Sequence, residues 1–234
     1  MALPLAGRTA VVTGASRGIG AATARALAQA GARVALMART GSQLDGLAAE
    51  TGGIAVPCDL RDPAALQAGV EAVLNRLGAA PDIVVNNAGV FRVAPMEELA
   101  KETILDSVAL NLSAPLLIVS AFLPGMRARK SGHIVTIGSI ADRKIFEGNA
   151  LYSATKFGAR AMHEVLRAEL KGSGIRATLV APGSTDTSMW DDAGGGEFPP
   201  RSAMLAAESV ADAVLYAVTR EPETNIDELR LTRT

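Results

Sequence analysis

The chain has 234 residues, 49% of them hydrophobic, and its 23 basic residues nearly balance its 24 acidic ones, leaving a formal net charge of −1. A chain of this length and composition can bury one large core, so we expect a single domain over residues 1–234. The balanced charge argues against a nucleic-acid or anionic-membrane partner. The single cysteine, Cys58, excludes an internal disulfide, and two isolated histidines offer no metal cluster, so no metal is expected.

The chain begins with neither a basic segment nor an apolar run of signal-peptide length. By inspection, no segment approaches the ~20 apolar residues that a membrane-spanning helix needs. These observations predict a cytoplasmic protein.

Short apolar runs alternate with longer segments of helical period. Seven runs are predicted to be strands: 9–13, 33–38, 54–57, 82–86, 133–137, 176–181 and the less regular 226–231. Strands separated by helices favour a mostly parallel sheet covered on both faces. The predicted fold class is therefore α/β, a doubly wound seven-stranded sheet with its binding crevice at the carboxyl ends of the strands.

Local signals predict where several helices begin and end. An alanine-rich helix ends at Gly31, Asp62-Pro63 is typical of an N-cap followed by proline at the first helical position, and Gly172 closes a helix over 151–170. The segment 191–200 is rich in glycine and proline. We expect it to belong to a mobile substrate flap at about 188–206.

A glycine-rich loop follows the first predicted strand, in the sequence Thr13-Gly-Ala-Ser-Arg-Gly-Ile-Gly20. Its glycines permit a tight turn and a close approach to a pyrophosphate at the N-terminus of the next helix, although a glycine-rich turn without a ligand is the alternative. The spacing resembles the signature of the short-chain dehydrogenase/reductase family. That resemblance implies a Rossmann-type fold that binds a nicotinamide dinucleotide.

The end of the second strand bears on which dinucleotide binds. An acidic residue there would bond the ribose hydroxyls of NAD, but this chain has Ala38 followed by Arg39, and Arg17 lies in the glycine loop. Two guanidinium groups with no opposing carboxylate favour the 2′-phosphate of NADP(H). Asp59 matches a family residue that accepts from the adenine amino group; the alternative is a charge placed before the helix at Asp62.

Two further segments resemble family motifs. Asn86-Asn-Ala-Gly89 ends the fourth strand and is expected to shape the wall of the cofactor site, with amides that tie adjacent strands together. The loop that follows the sixth strand matches the family segment that meets the nicotinamide carboxamide. The resemblance implies these cofactor-binding residues: Gly14, Ser16, Arg17, Gly18, Ile19, Gly20, Arg39, Asp59, Leu60, Asn87, Ala88, Gly89, Tyr152, Lys156, Pro182, Gly183, Thr185 and Thr187.

Four residues are the candidates for the chemistry. Tyr152 and Lys156 stand one helical turn apart, so the ammonium is expected to lower the pKa of the phenol and make it an acid/base near neutrality. Ser139 follows the fifth strand, from which its hydroxyl reaches the same edge of the sheet. Asn111 matches the family asparagine that holds a water beside the lysine, and its alternative is a buried structural amide.

The predicted function is an NADP(H)-dependent oxidoreductase that transfers hydride between nicotinamide and a carbonyl or secondary alcohol. The ending 223–231 is similar to relatives acting on 3-hydroxy acids, and more loosely to 3-oxoacyl reductases. The alternatives are a non-catalytic dinucleotide-sensing or scaffold protein and an epimerase or dehydratase on nucleotide sugars. The candidate substrate walls are Phe91, Val93, Ile140, Ala141, Phe146, Met189 and Trp190, with Arg143 and Lys144 as candidate carboxylate partners.

Two long predicted helices, 103–126 and 151–170, carry apolar residues on more than one face: Leu116, Leu117, Ile118 and Phe122 on the first, and Phe157, Met162, Val165 and Leu166 on the second. A second subunit would bury the apolar residues that the sheet of one subunit cannot cover. The family resemblance implies that these helices pair across a two-fold axis and that the seventh strand supports a further interface. We therefore expect a homo-oligomer, a tetramer or a dimer.

Overall fold

The computed structural model describes residues 3–195 and 198–234, and its centre is one parallel sheet. Its strands are β1 (Thr9–Thr13), β2 (Arg33–Ala38), β3 (Ile54–Pro57), β4 (Ile83–Asn86), β5 (Gly132–Ile137), β6 (Ile175–Pro182) and β7 (Glu228–Leu231). Their order is β3-β2-β1-β4-β5-β6-β7, and every neighbouring pair is parallel. The predicted doubly wound α/β fold is confirmed. The seventh strand begins two residues later than its sequence pattern indicated.

Seven α-helices cover the sheet in the described part of the chain: α1 (Gly18–Gln29), α2 (Gly41–Thr51), α3 (Pro63–Leu77), α4 (Lys101–Val108), α5 (Ala114–Arg129), α6 (Ala150–Glu169) and α7 (Ala207–Val218). The local signals act as predicted at α3, where the Asp62 carboxylate accepts from the Ala64 N–H at 2.9 Å and Pro63 opens the helix. Beyond the end of α1, Gly31 adopts φ +100°, which a residue with a Cβ rarely tolerates.

Alternate residues of each strand supply two cores, one on each face of the sheet. On one face Val12 and Leu36 pack with residues of α1, α2 and α7, including Leu27 and Val214. On the other face the adjacent strand residues pack with α3, α5 and α6, through side chains such as Phe122. Both faces are thus covered, which leaves the carboxyl ends of the strands as the open edge for a site.

Helices α4 and α5 run into each other through a π-helical turn, Ala109–Ser113, to form one long helix, Lys101–Arg129. By length and composition alone this helix is apolar enough to cross a membrane, which corrects the expectation that no segment approaches that length. The reason is that residues 109–126 carry no charge. Its Ile118, Phe122 and Met126 are fully buried against the sheet, and a core helix of this kind passes the same test.

Candidate active site

A cleft of about 1070 Å³ opens at the carboxyl ends of the strands, across the point where the strand order reverses between β1 and β4. The structure brings nearly all of the predicted site residues to this one cleft. Lining it are Gly14, Ser16, Arg17, Gly18, Ile19, Arg39, Asp59, Leu60, Asn87, Ala88, Gly89, Ser139, Tyr152, Lys156, Pro182, Gly183, Thr185 and Thr187. Gly20 and Asn111 lie behind its wall.

The glycine loop needs its glycines for space and for backbone conformation. A Cβ at Gly20 would lie 2.2 Å from the carbonyl oxygen of Gly14, and one at Gly14 would lie 2.8 Å from Cα of Ala88. Gly14 and Gly18 have φ values of +65° and +55°. No side chain caps α1, whose N-cap is Arg17, so the N–H groups of its first turn remain available to a phosphate. These features fit a dinucleotide pyrophosphate.

The Asn-Asn-Ala-Gly segment ties the end of β4 to the glycine loop. The Asn87 side-chain amide donates to the carbonyls of Thr13, at 2.8 Å, and Gly14, at 3.3 Å. The Thr13 hydroxyl in turn accepts from the backbone N–H groups of Asn87 and Ala88, both at 3.0 Å. Asn86, also expected in the cofactor wall, does not line the cleft: it is the last residue of β4, and its side chain is buried within the protein.

The end of β2 presents a cation and no acid. Arg39 is exposed at the cleft, directly after Ala38. Asp59, after β3, already accepts from Arg61, with 2.6 Å between Oδ2 and Nη2. That hydrogen bond is the main cause that lowers the pKa of Asp59, with a smaller contribution from the charge of Arg39. The Asp59 carboxylate is therefore ionised and partly satisfied before any adenine approaches it.

The loop after β6 closes against the glycine loop. The Gly183 N–H donates to the Leu231 carbonyl at 2.8 Å, and the Thr185 hydroxyl donates to the Gly183 carbonyl at 3.0 Å. Thr187 packs beside the glycine loop, since a Cβ at Gly18 would lie 3.0 Å from its methyl group. The resemblance singled out these same residues, and the structure places them across the cleft from the helix that carries Tyr152.

Ser139 and Tyr152 meet at the centre of the cleft. The Ser139 hydroxyl caps a short 3-10 turn, Ile140–Asp142, by accepting from the Ala141 N–H at 3.1 Å. Burial raises the pKa of Tyr152 to about 12, and a hydrogen bond with the Ser139 side chain opposes that rise. The expectation that Lys156 lowers the pKa of this phenol is therefore wrong for this structure, because desolvation dominates.

Lys156 lies one turn further along α6 and is buried. Its Nζ donates to the Ile137 carbonyl at 2.9 Å and lies 5.6 Å from the centre of the Tyr152 ring. Burial lowers the pKa of Lys156 to about 8, partly offset by the negative charge of Asp142. The ammonium thus lies between the end of β5 and the phenol. With this pKa it loses its proton in the weakly alkaline range.

Asn111 occupies the π-helical turn between α4 and α5. Its side chain accepts from the Val90 N–H at 2.8 Å and donates to the Val90 carbonyl at 2.9 Å and to the Thr155 hydroxyl at 3.1 Å. The amide is therefore engaged by the backbone after β4 and by α6, the structural role left open as the alternative.

The structure also contains an ion network close to Ser139 that the sequence did not predict. Asp142 is fully buried, and its Oδ1 lies 2.5 Å from Nε of Arg143. Arg143 also bonds Glu228 of β7, with 2.5 Å between Nη2 and Oε1. Arg143, expected as a candidate carboxylate partner, does not line the cleft, because it is committed to these two acids. Glu228 reaches Arg143 only because β7 pairs with β6, so no local sequence pattern predicts this network.

The predicted substrate walls also reach the cleft: Phe91, Val93, Ile140, Ala141, Phe146, Met189 and Trp190, together with Lys144. Sequence reasoning missed Phe198, whose ring lies 5.1 Å from that of Trp190 and 6.0 Å from that of Phe91. Its place in a segment rich in glycine and proline gave no periodic signal that would have pointed to a wall.

The predicted flap is anchored on both sides of the cleft. The Val93 N–H donates to the Ala193 carbonyl at 2.7 Å, and Ala193 is fully buried. At the other end, Thr185 pairs with Leu205, whose N–H donates to the Ser184 carbonyl at 2.8 Å. Residues 196–197 of this segment lie outside the described part of the chain. The anchors hold the flap over the cleft that carries Tyr152.

The two histidines lie away from the reacting hydroxyls. His133 Nε2 is 2.8 Å from the Thr178 hydroxyl, and His163 Nδ1 is 3.1 Å from the Thr136 hydroxyl. Burial lowers their pKa values to about 3 and about 4, so both are neutral near neutrality. Among residues 3–195 and 198–234, no group of three or more His, Cys, Asp or Glu side chains is arranged to hold a metal.

Comparisons with known proteins agree with this geometry. The family model described as short chain dehydrogenase matches residues 8–197. An uncharacterized oxidoreductase of Staphylococcus haemolyticus is 37% identical over 230 residues, covering 96% of each chain. The D-threitol dehydrogenase of Mycolicibacterium smegmatis is 39% identical over 183 residues, covering 76% of this chain and 70% of its own.

Among solved structures, a metagenomic short-chain oxidoreductase in complex with NADP superimposes with a TM-score of 0.85 at 36% identity, covering 99% of both chains. The chain belongs to the short-chain dehydrogenase/reductase family of oxidoreductases, which use nicotinamide cofactors.

Proposed function

We propose that this protein is an NADP(H)-dependent carbonyl reductase or alcohol dehydrogenase. The observation that carries the proposal is the meeting of Ser139, Tyr152 and Lys156 in the cleft that the glycine loop opens. A dinucleotide fits the loop because the glycines leave no room for a Cβ and the first turn of α1 lacks a side-chain cap. The structure of a relative with NADP bound supports the same cofactor.

The phosphate specificity is proposed to reside in Arg17 and Arg39. Both are exposed at the cleft, one in the glycine loop and one directly after β2. Ala38 leaves this end of β2 without a carboxylate that would repel a 2′-phosphate. Charge-assisted hydrogen bonds from guanidinium groups to phosphate are strong enough to distinguish NADP(H) from NAD(H).

A nicotinamide cofactor held along the glycine loop would supply a hydride to the carbonyl carbon, or accept one from the alcohol carbon. Tyr152 donates the proton that the carbonyl oxygen needs, and its raised pKa keeps the phenol protonated for that step. Ser139 lies beside this phenol and stabilises the negative charge developing on the oxygen. Lys156 holds a positive charge near the phenol and restores its proton once it has been given up.

The test follows NADPH oxidation with a panel of ketones, keto esters and keto acids, and NADP⁺ reduction with secondary alcohols. Tyr152→Phe should lower kcat by at least about a hundredfold while cofactor affinity is retained, since only the acid is removed. Tyr216→Phe, at the chain's other tyrosine, is the matched control and should change neither quantity. A scaffold or sensor protein would bind NADPH and turn over nothing, and more than a tenth of wild-type activity in the Tyr152 variant would contradict the assigned acid.

A further inference from the structure

The aromatic residues of this chain are concentrated at the reacting hydroxyls. The whole chain has only eight: five Phe, two Tyr and one Trp. Half of them form one edge-to-face cluster in the cleft: Phe91, Tyr152, Trp190 and Phe198. Two of these rings come from the loop after β4 and from α6, and two come from the flap. A core would not require this convergence, so the cluster indicates a ligand.

The cluster presents apolar surface to the position where a substrate would lie. Trp190 bonds its only polar atom internally, with Nε1 donating to the Thr185 carbonyl at 2.8 Å. Phe91 lies edge-on to Tyr152, with ring centroids 4.8 Å apart, and 5.1 Å from the Trp190 ring. Phe91 is thus in ring contact with both Tyr152 and Trp190, which forms a continuous apolar surface next to the phenol.

Two of the three cations near this end of the cleft, Arg92 and Arg143, are already engaged. Arg143 binds Asp142 and Glu228, and Arg92 donates to the backbone carbonyls of Phe91 and Asp192. The Lys144 ammonium lies on the exposed loop, 5.2 Å from the centre of the Phe146 ring. The other cleft cations of the described chain are Arg17, Arg39, Arg61 and Lys156, which serve the proposed cofactor end or the chemistry.

We propose, on the basis of the function proposed above, that the substrate is a ketone or secondary alcohol carrying an aromatic group. That group packs against Trp190 and Phe91. A carboxylate packed against these two rings would be desolvated, which is costly, and Lys144 on the exposed loop is the described cleft cation left to pair with it. A polyol would leave its hydroxyls against apolar rings. This class differs from the 3-hydroxy acids that the chain's ending suggested.

The test uses three methyl ketones that share an ethylene linker and differ only in the terminal group. Benzylacetone ends in phenyl, levulinate in carboxylate and 4-hydroxy-2-butanone (hydroxybutanone) in hydroxyl. Because the linker isolates the carbonyl from the terminal group, intrinsic reactivity is similar. We expect kcat/KM with NADPH to be at least about tenfold higher for benzylacetone, the range over which an apolar pocket discriminates. Equal or higher values for levulinate or hydroxybutanone would overturn the proposal.

Variants of Trp190 test whether this side chain causes the preference for the phenyl ketone. Trp190→Ala should reduce the benzylacetone-to-hydroxybutanone ratio of kcat/KM by roughly tenfold, and Trp190→Phe should retain most of it. Tyr216→Ala removes an exposed ring of α7 and is the control, which should leave the ratio unchanged. A ratio that is unaffected by Trp190→Ala would remove Trp190 from the substrate wall and the proposal with it.

A binding measurement keeps the proposal testable if none of the three ketones is reduced. Trp190 is the only tryptophan, so intrinsic tryptophan fluorescence reports on the proposed wall alone. With NADP⁺ present, benzylacetone should quench this fluorescence saturably, whereas levulinate and hydroxybutanone should not. Absence of saturable quenching by benzylacetone would overturn the substrate class. The proposed function is tested separately, since it fails only if no carbonyl or alcohol of the wider panel is turned over.

Discussion

Arg17 of the glycine loop forms an ion pair with Asp192 of the flap, with 4.0 Å between Nη2 and Oδ2. The same guanidinium is a proposed ligand of the cofactor's 2′-phosphate. The flap carboxylate therefore competes with that phosphate for one cation. Both side chains are exposed, so the pair itself contributes little to stability.

Asp192→Asn should tighten NADPH binding, because it removes the competing carboxylate. Surface ion pairs contribute at most about 1 kcal/mol, so we expect the NADPH Kd to fall by up to about fivefold. The Kd of NADH should stay unchanged, because NADH lacks the 2′-phosphate. Asp191→Asn is the control, since Asp191 pairs with Arg201 instead. Isothermal titration of both cofactors checks this, and an unchanged or higher NADPH Kd in the Asp192 variant would refute it.

Arg39→Asp should shift the cofactor preference from NADPH toward NADH. In the unmodified protein we expect an NADPH preference of about 2 kcal/mol or more in kcat/KM, from guanidinium–phosphate bonds and from the absence of an acid at Ala38. The substitution places a carboxylate after Ala38, where it repels the phosphate and accepts from ribose hydroxyls. Arg33→Asp, at the opposite end of β2, is the matched control. Equal efficiency with the two cofactors in the unmodified protein would contradict the assignment.

Lys156→Met should raise the free energy of unfolding at neutral pH while abolishing activity. The pKa of Lys156 falls from 10.5 to about 8 on folding, mainly because burial disfavours the charged form. At 1.36 kcal/mol per pKa unit, this costs the folded state up to about 3 kcal/mol below pH 8. The loss of the bond to the Ile137 carbonyl offsets part of the gain.

The sign of this effect sets its pH dependence. Between about pH 8 and 10.5 the unfolded chain binds more protons at Lys156 than the folded chain does. The contribution of Lys156 to the free energy of unfolding of the unmodified protein therefore rises with pH. The advantage of Lys156→Met should therefore shrink across that window. Tyr152, whose pKa rises from 10.0 to about 12 on folding, is present in both proteins, so its contribution cancels in the difference between them. Denaturant unfolding at several pH values measures the difference in free energy of unfolding between the Lys156→Met variant and the unmodified protein. Lys171→Met, at an exposed lysine, is the control. A difference in the free energy of unfolding that does not change with pH would refute the lowered pKa of Lys156.

We expect the protein to assemble through α4, α5 and α6. Leu116 and Leu117 are 47% and 41% exposed, and Phe157 and Val165 of α6 are 41% and 59% exposed. A patch of this kind on a monomer usually marks an interface. Ile118, Phe122 and Leu166, also predicted to face a partner, are instead buried within the subunit.

Val165→Asp should weaken this association by placing a charge in the apolar patch. Met96→Asp, at an exposed residue of the 3-10 turn Met96–Glu98, is the control and should not change the mass. Light scattering reads the outcome. A monomer at micromolar concentration for the unmodified protein would remove the proposed interface, whereas a dimer would retain it and leave the open edge of β7 without a partner.

The order of strands and helices could be predicted from the sequence because each rests on local physics. Apolar runs of strand length and the Asp62-Pro63 cap act over a few residues, and the spacing of Gly14, Gly18 and Gly20 answers a steric need within one turn. The Tyr152 and Lys156 pair was equally visible, since residues four apart share a helix face.

Tertiary structure alone decided how those residues behave. Burial raises the pKa of Tyr152 and lowers that of Lys156, reversing the effect expected from their spacing, because desolvation depends on every element packed around them. Pairing of β6 with β7 turned Arg143 from a candidate substrate ligand into the centre of a buried ion network. The flap brought Trp190 and Phe198 onto Phe91, across about a hundred residues of chain. Such contacts depend on the whole fold, so a local pattern cannot encode them.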